Sequence, residues 1–413
     1  MKANPHPRPN LSRVTSFTAA LLAAAPLARA ETLPWLAEAR TLLTTAGDPA
    51  DNLTAPGEGF DGVARLTLSK SNGLATCSGT LLSGGRDILT AAHCLTDGQG
   101  VLNTNSAFAN FLLPGDTLSL RIADFIVHPD WDGDFDHGND IALISLTAPA
   151  PAAIPAFDIF RGNDEVGQIF TLAGFGQAGQ GDQGAVLPAG TRRTGENRFD
   201  ALGDVFANAG FNPLPGAQLA FDFDNGSAQN DAFNFFAPLL GPGLGDRGVG
   251  DNEVMAAPGD SGGPAFINGQ IAGVTSFGAR LFSPVRNDTS DVDATLNASF
   301  GEFGVSTRVS FFADWIDANR SPLTDPLPGD LNADGFVGIE DLNLVLQLWN
   351  RDTTTGVGVA DPSADGFVGI GDLNIVLGNW NVGTPPGAAG GVPEPGSMGL
   401  LVVGGVALLR RRA

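Results

Sequence analysis

GDSGGP (259–264) lies downstream of TAAHC (90–94), with NDIAL (139–143) between them, in a chain of 413 residues. Hydrolysis through a serine needs a hydroxyl nucleophile, an imidazole to take its proton, and a carboxylate to orient that imidazole and stabilise its cation. Ser261, His93 and Asp140 supply these groups. The glycines beside Ser261 have a physical reason, because the turn must aim the backbone N–H groups of Gly259 and Ser261 at a developing oxyanion. A side chain at position 259 would obstruct that hole.

The order His, Asp, Ser in these three contexts resembles the trypsin/chymotrypsin family of serine proteases. The resemblance spans residues 59–320. CSGTLL (77–82) is similar to the strand before the family's catalytic histidine, and VTSFG (274–278) to the strand that pairs with a bound substrate. GVSTRVSFFADWI (304–316) is similar to its last strand and C-terminal helix. The resemblance implies a mainly β fold, a chymotrypsin-like double antiparallel β-barrel with a C-terminal helix and the active site between the barrels. It implies a serine endopeptidase acting on protein or peptide substrates through His93, Asp140 and Ser261, with no cofactor required for catalysis. The only cysteines, Cys77 and Cys94, fall at the family's histidine-loop disulfide. A loop of that size contributes about 3 kcal/mol in the chain-entropy model and suits an oxidising compartment, the alternative being two buried thiols.

Counting back from Ser261, Met255 stands where trypsin-type enzymes carry the aspartate that selects Arg and Lys. Ser276, Gly278 and Gly304 correspond to further pocket positions, and the two glycines imply an open entrance. A thioether offers soft apolar contact, so the pocket is expected to take Leu, Met or Phe and to refuse Arg and Lys. Glu302, in a long segment (279–303) able to fold over the pocket, is the charge that would alter this. The family's zymogens are cut before an Ile-Val-Gly-Gly-like sequence whose new amino group pairs with the aspartate before the nucleophile, here Asp260. Nothing of that form occurs between Glu31 and Val63. Another cation could order Asp260, another cleavage site could serve, or the chain could be a non-catalytic, protease-like binding or adhesion protein.

Residues 1–30 read as a signal peptide: Lys2, Arg8 and Arg13 precede an apolar run (17–27), and Ala28-Arg29-Ala30 is a small-x-small cleavage site. Residues 31–58 are then an N-terminal extension or propeptide, and the protein is exported to the cell surface or beyond. The formal charge of −23 makes nucleic acid an improbable partner. Phenylalanine numbers 27 while tyrosine is absent, so phenylalanine must fill the aromatic core positions. DFDNG (222–226), with Asp246, Asp251 and Glu253, offers a calcium site or a solvated loop. His128 is expected at the surface, and His137 lacks the context that marks His93.

A proline-rich linker (321–329) leads into an internal repeat (330–382): DLNADGFVGIEDLNLVLQLWN from Asp330 and DPSADGFVGIGDLNIVLGNWN from Asp361. Each copy puts oxygen-bearing side chains at loop positions 1, 3 and 5, glycine at 6, and a carboxylate at 12 before an apolar helix, the ligand pattern of an EF-hand loop for calcium. The ligands are Asp330, Asn332, Asp334 and Asp341 in the first copy, and Asp361, Ser363, Asp365 and Asp372 in the second. Ser363 is the poorer ligand, so the second site is expected to be weaker. Two such half-EF-hands form a small all-α unit that resembles a type I dockerin, which implies a cohesin-like partner. Loop positions 10 and 11, Ile339-Glu340 and Ile370-Gly371, depart from that family's Ser/Thr pattern, which leaves a calcium-stabilised spacer or another surface partner equally open. After a second linker (383–391), VPEPGS and the apolar run before Arg410-Arg411-Arg412 (392–413) resemble a PEP-CTERM sorting signal, which implies an exosortase-type processing enzyme. A weak membrane anchor is the alternative, since the run falls short of the ~20 residues a spanning helix needs.

Overall fold

Val63–Lys70 (β1) reads VARLTLSK, and its alternation carries Leu66 and Leu68 into the core while Arg65 and Thr67 face outward. A two-residue turn joins β1 to Gly73–Leu81 (β2), in register from Lys70 opposite Gly73 to Val63 opposite Thr80. Asp87–Thr90 (β3), Thr104–Leu113 (β4), Asp116–Val127 (β5) and Ala142–Leu146 (β6) complete an antiparallel barrel closed in the order β1-β2-β3-β6-β5-β4. Closure removes the exposed sheet edge. Leu66, Leu81, Ile88, Leu89, Phe111, Leu143 and Ile144 belong to the apolar core inside and around it, each fully buried.

The second half is a seven-stranded antiparallel sheet built from Ile169–Gly174 (β7), Arg193–Arg198 (β8), Ala201–Leu202 (β9), Gln218–Asp222 (β10), Pro264–Ile267 (β11), Gln270–Ala279 (β12) and Phe303–Arg308 (β13). Its order is β8-β7-β11-β12-β13-β10-β9. Phenylalanine takes the aromatic positions here: Phe170 stacks on Phe199 at 4.1 Å between ring centroids and meets Phe221 edge-on at 5.0 Å. Phe303 packs edge-on against Phe206 and Phe233. Together the halves make the chymotrypsin-like double-barrel fold. The chain ends this unit with a 3-10 turn, Val309–Phe312, and a helix, Ala313–Asn319, which return to the first barrel through Val309, Phe312 and Ile316.

The computed structural model describes residues 43–282, 289–293, 295–321, 327–332, 335–353, 360–363 and 365–383. The signal peptide, Asp334 and the sorting tail read from the sequence lie outside the described residues. Among the described residues no helix is long and apolar enough to cross a membrane.

Two expectations need correction. Residues 43–58, read as an extension, are part of the protease unit: Thr44 and Thr45 pair with Met255 and Val254 on one side and with Gly179 and Gln180 on the other. The fully buried Arg192 secures the segment that follows, donating to the carbonyls of Ala55 and Phe60 and to Asp61 at 2.8–3.0 Å. His128 is also inside, its ring about 5 Å from those of Phe312 and Trp315, because the C-terminal helix covers the place that the sequence suggested was surface.

The repeat folds as two loop–helix units, Ile339–Gln347 and Ile370–Gly378. Asp341 and Asp372 sit at the third helical position and each accepts the N–H of the glycine before its helix at 2.7 Å, the return half of a capping box. Val337 and Val345 from one copy meet Val368 and Val376 from the other in a shared apolar centre.

Candidate active site

His93 sits in the single helical turn Ala92–Leu95 that follows β3, and Asp140 in the loop entering β6. Ser261 comes from the other half, in the tight turn before β11. The turn owes its shape to glycine. Gly259 has φ of 105°, and a Cβ on Gly262 (φ 76°) would collide with Thr90 and the backbone of Ser78.

The three side chains form one line. Ser261 Oγ is hydrogen-bonded to His93 Nε2, and His93 Nδ1 lies 2.7 Å from Asp140 Oδ2. Asp140 Oδ1 accepts the backbone N–H of His93 at 2.9 Å, so the carboxylate holds both the ring and the peptide that carries it. Asp140 is 1% exposed while the His93 side chain keeps 19%, which leaves the imidazole reachable and its partner shielded from water. Phe135 packs on the His93 ring at 5.2 Å. Among the described residues no protein acceptor takes the N–H of Gly259 or of Ser261. Ser78 fixes this turn from the first barrel: its Oγ donates to the Gly259 carbonyl at 2.9 Å and its N–H to the Ser261 carbonyl at 2.7 Å.

Residues 55–216 match the Trypsin family model. Trypsin zeta of Drosophila erecta is 26% identical over 250 residues, covering 60% of this chain and 74% of the relative. Brachyurin of Leptuca pugilator is 29% identical over 245 residues, 58% of this chain and 85% of the relative. A solved structure of HL collagenase aligns with a TM-score of 0.42 at 19% identity, covering 65% of this chain and 96% of that one. The matched region is similar to trypsin-family serine protease domains. The chain is a serine endopeptidase.

Within this protease domain the structure relocates part of the expected pocket. Ser276 Oγ donates to Asp140 Oδ2 at 2.6 Å, so its hydroxyl serves the Asp140 carboxylate and is not free on a pocket wall. Thr307 Oγ1 donates to the Asp140 carbonyl at 2.8 Å, a second tie from the other barrel. Gly304 does not leave open space: a Cβ there would run into the ring of Phe221, so the missing side chain makes room for the aromatic core. Gly278 stands opposite Gly304 in the sheet, and a Cβ on it would lie 3.0 Å from Met255 Cε. Met255 is 1% exposed and packs with Phe223, Ala298 and Phe300. Glu302 is fully buried and accepts the N–H groups of Asn297 and Ala298 at 2.9 Å, so it braces its own loop.

Asp260 accepts the N–H of Gly176 at 2.7 Å and of Ala257 at 2.8 Å. Burial nonetheless pushes its carboxyl up to about 8, against the pull of these bonds, of Arg193 and of the backbone N–H of Leu43. Sequence reasoning missed both of the last two. Arg193 is the cation facing Asp260, held back by its own desolvation. Leu43 is buried at the head of the Thr44–Thr45 strand, and its only signal in the sequence is an apolar residue followed by Thr-Thr-Ala-Gly. His137 is exposed and bonds to Asp132 at 2.7 Å, outside the line of three.

In the repeat, Asp361, Asp365 and Asp372 each bring a carboxylate oxygen within 4.8 Å of the others. In the first copy Asp341 Oδ1 accepts the N–H groups of Leu331 and Asn332, and Asp330 Oδ2 that of Gly335. The donor set is all oxygen, which fits a calcium ion.

Proposed function

We propose that this protein is an exported serine endopeptidase in which Ser261 Oγ attacks the scissile carbonyl carbon while His93 Nε2 takes its proton. The N–H groups of Gly259 and Ser261 receive the oxyanion, and His93 then hands the proton to the leaving amine as the acyl-enzyme forms. A water activated by His93 releases the acid and restores the serine. The observation that carries this reading is the unbroken line from Ser276 through Asp140 and His93 to Ser261, ending beside two N–H groups that no acceptor among the described residues takes. A fluorophosphonate probe tests it: the wild-type protein should form a covalent adduct and Ser261→Ala should not. Equal labelling of the two would return the chain to the class of non-catalytic binding proteins.

The thioether of Met255, at the position where trypsin-type enzymes carry the aspartate that selects Arg and Lys, supports an apolar preference for Leu, Met or Phe at the residue before the cleaved bond. Activation on this reading comes from cutting the Leu42–Leu43 bond. The amide N–H of Leu43 already donates to Asp260, and cleavage would replace it with an ammonium group that compensates the buried carboxylate. N-terminal sequencing of active protein should begin at Leu43; a mature end that leaves residues before Leu43 attached, with full activity, would overturn this site.

Calcium would be held by Asp330, Asn332, Asp334 and Asp341, and by Asp361, Ser363, Asp365 and Asp372, where it would neutralise repelling carboxylates and fix the loops ahead of their helices. The unit so formed is a docking or spacing module, with a cohesin-like or other surface protein as its partner. Removal of the tail by an exosortase-type enzyme would leave the protease at the cell surface.

A further inference from the structure

The second barrel buries a set of carboxylates that the line from Ser276 to Ser261 does not use. The geometry points to a calcium site inside the protease domain formed by Asp222, Asp224 and Asp231. Asp222 ends β10, Asp224 follows two residues later, and Asp231 stands before the short helix Ala232–Phe235. All three are at least 97% buried by their exposures of 3%, 2% and 2%. One carboxylate oxygen from each lies within 4.8 Å of the other two. Opposite ligands about 2.4 Å from a calcium ion are about as far apart as that.

The independent observation is Asp224. Its Oδ1 is buried and has no hydrogen-bond partner among the described residues, and the residue is 2% exposed. A buried carboxylate oxygen with nothing to meet is costly, and a cation is the partner that would satisfy it. The other two carboxylates hold fixed directions. Asp222 Oδ2 accepts the N–H of Phe233 at 3.0 Å, and Asp231 accepts the N–H and the side-chain amide of Asn234 at 3.0 and 2.6 Å. Each oxygen so used retains a lone pair for a metal.

No arginine, lysine or histidine forms an ion pair with any of the three among the described residues. The surroundings add more negative charge. Glu253 accepts the N–H of Asp224 at 2.6 Å, and Asp200 accepts that of Asp222 at 3.3 Å. Burial pushes the carboxyls of Asp200, Asp222 and Asp224 well above the usual carboxylate range, and Glu253 up to about 8. An all-oxygen set selects a hard ion such as calcium over zinc or copper. A surface pocket lined by Ala228, Asp231, Asn234, Phe235, Asp246 and Arg247 gives the ion a way in. Phe223 lies between two of the ligands in sequence and packs in one cluster with Met255, so the ion would brace that cluster.

The test is equilibrium dialysis of the full chain against calcium chloride after stripping with chelator. Asp330→Ala combined with Asp361→Ala disables the repeat loops, so ions held there do not enter the count. This protein should still bind one calcium ion per chain, and binding none would overturn the proposal without any change to the buried acids. Adding Asp224→Asn, which keeps the shape and removes the charge, should weaken that remaining ion at least tenfold. Unchanged binding in a variant with wild-type near-UV circular dichroism would also overturn it. If Asp224→Asn fails to fold, the count on the loop-disabled protein decides alone. None of these outcomes depends on whether Ser261 is the nucleophile.

Discussion

The two barrels of the protease domain treat buried negative charge differently. In the first, Asp61 meets Arg192 at 2.8 Å, Asp87 accepts the hydroxyl of Ser145 at 2.7 Å and the N–H of Ser321 at 2.6 Å, and Asp140 meets His93. In the second, Glu165 pairs with Arg308 and Asp291 with Arg280, but Asp222, Asp224, Asp260 and Glu302 are buried with uncharged donors at most and no ion pair among the described residues. The family match ends at residue 216, just before those four acids begin. The first barrel therefore compensates its acids internally, while the second keeps four without an ion pair; on the readings proposed above, a new amino group would serve Asp260 and a cation Asp224.

The sharpest way to break that comparison is at Asp140, the compensated acid that serves the reaction. Asp140→Asn keeps the shape but reverses the hydrogen-bond preference of the group facing His93 Nδ1, so the ring is held in the wrong tautomer. Turnover should fall by about 10⁴-fold. Ser261→Ala should cost more, about 10⁶-fold, and the double variant little beyond Ser261→Ala, because the groups act as one unit. Simple multiplication of the two losses would show that Asp140 works independently of the serine.

The next effect is on stability. Glu253, Asp260 and Glu302 have carboxyls pushed up to about 8 by burial, above their values in an unfolded chain. The folded state then holds more protons than the unfolded one between about pH 4 and pH 8, so stability is present at the acid end and lost as pH rises through that window. In chelator, the unfolding free energy of the uncut chain should drop by several kcal/mol from pH 5 to pH 8. Cleavage before Leu43 should lessen the part due to Asp260. A flat profile in chelator would mean that water or an unrecognised cation already serves these groups.

How much could be read beforehand follows the same division. TAAHC, NDIAL and GDSGGP carry the chemistry within a few residues each, so the triad and the double barrel were legible. Phenylalanine filling the aromatic core was legible from composition alone. The head of the protease domain was not, because Leu43-Thr44-Thr45 is tied in by pairing with Val254 and Met255 some two hundred residues away, and nothing local signals that. The pocket failed for a related reason. Gly304 is empty of side chain in sequence, but only the sheet register shows that Phe221 occupies the space. His128 was misread because the helix that covers it comes nearly two hundred residues later.

The smallest effect sharpens the comparison most, because it asks whether the second barrel contributes to the compensation of Asp140. Ser276 lies on β12 and donates to the same Oδ2 that faces His93 Nδ1. Removing this donor leaves Asp140 with His93 on one side and a small buried gap on the other. A hydrogen bond to a charged group contributes about 1.5–3 kcal/mol, so Ser276→Ala should slow turnover by roughly 10–100-fold. The loss should fall on kcat and leave KM nearly unchanged, because the hydroxyl acts on the carboxylate and not on the substrate. Ser276→Thr, if its hydroxyl reaches the same oxygen, should recover most of the rate. A Ser276→Ala enzyme with wild-type kcat and a raised KM would instead put this residue back on the pocket wall, where sequence comparison had set it.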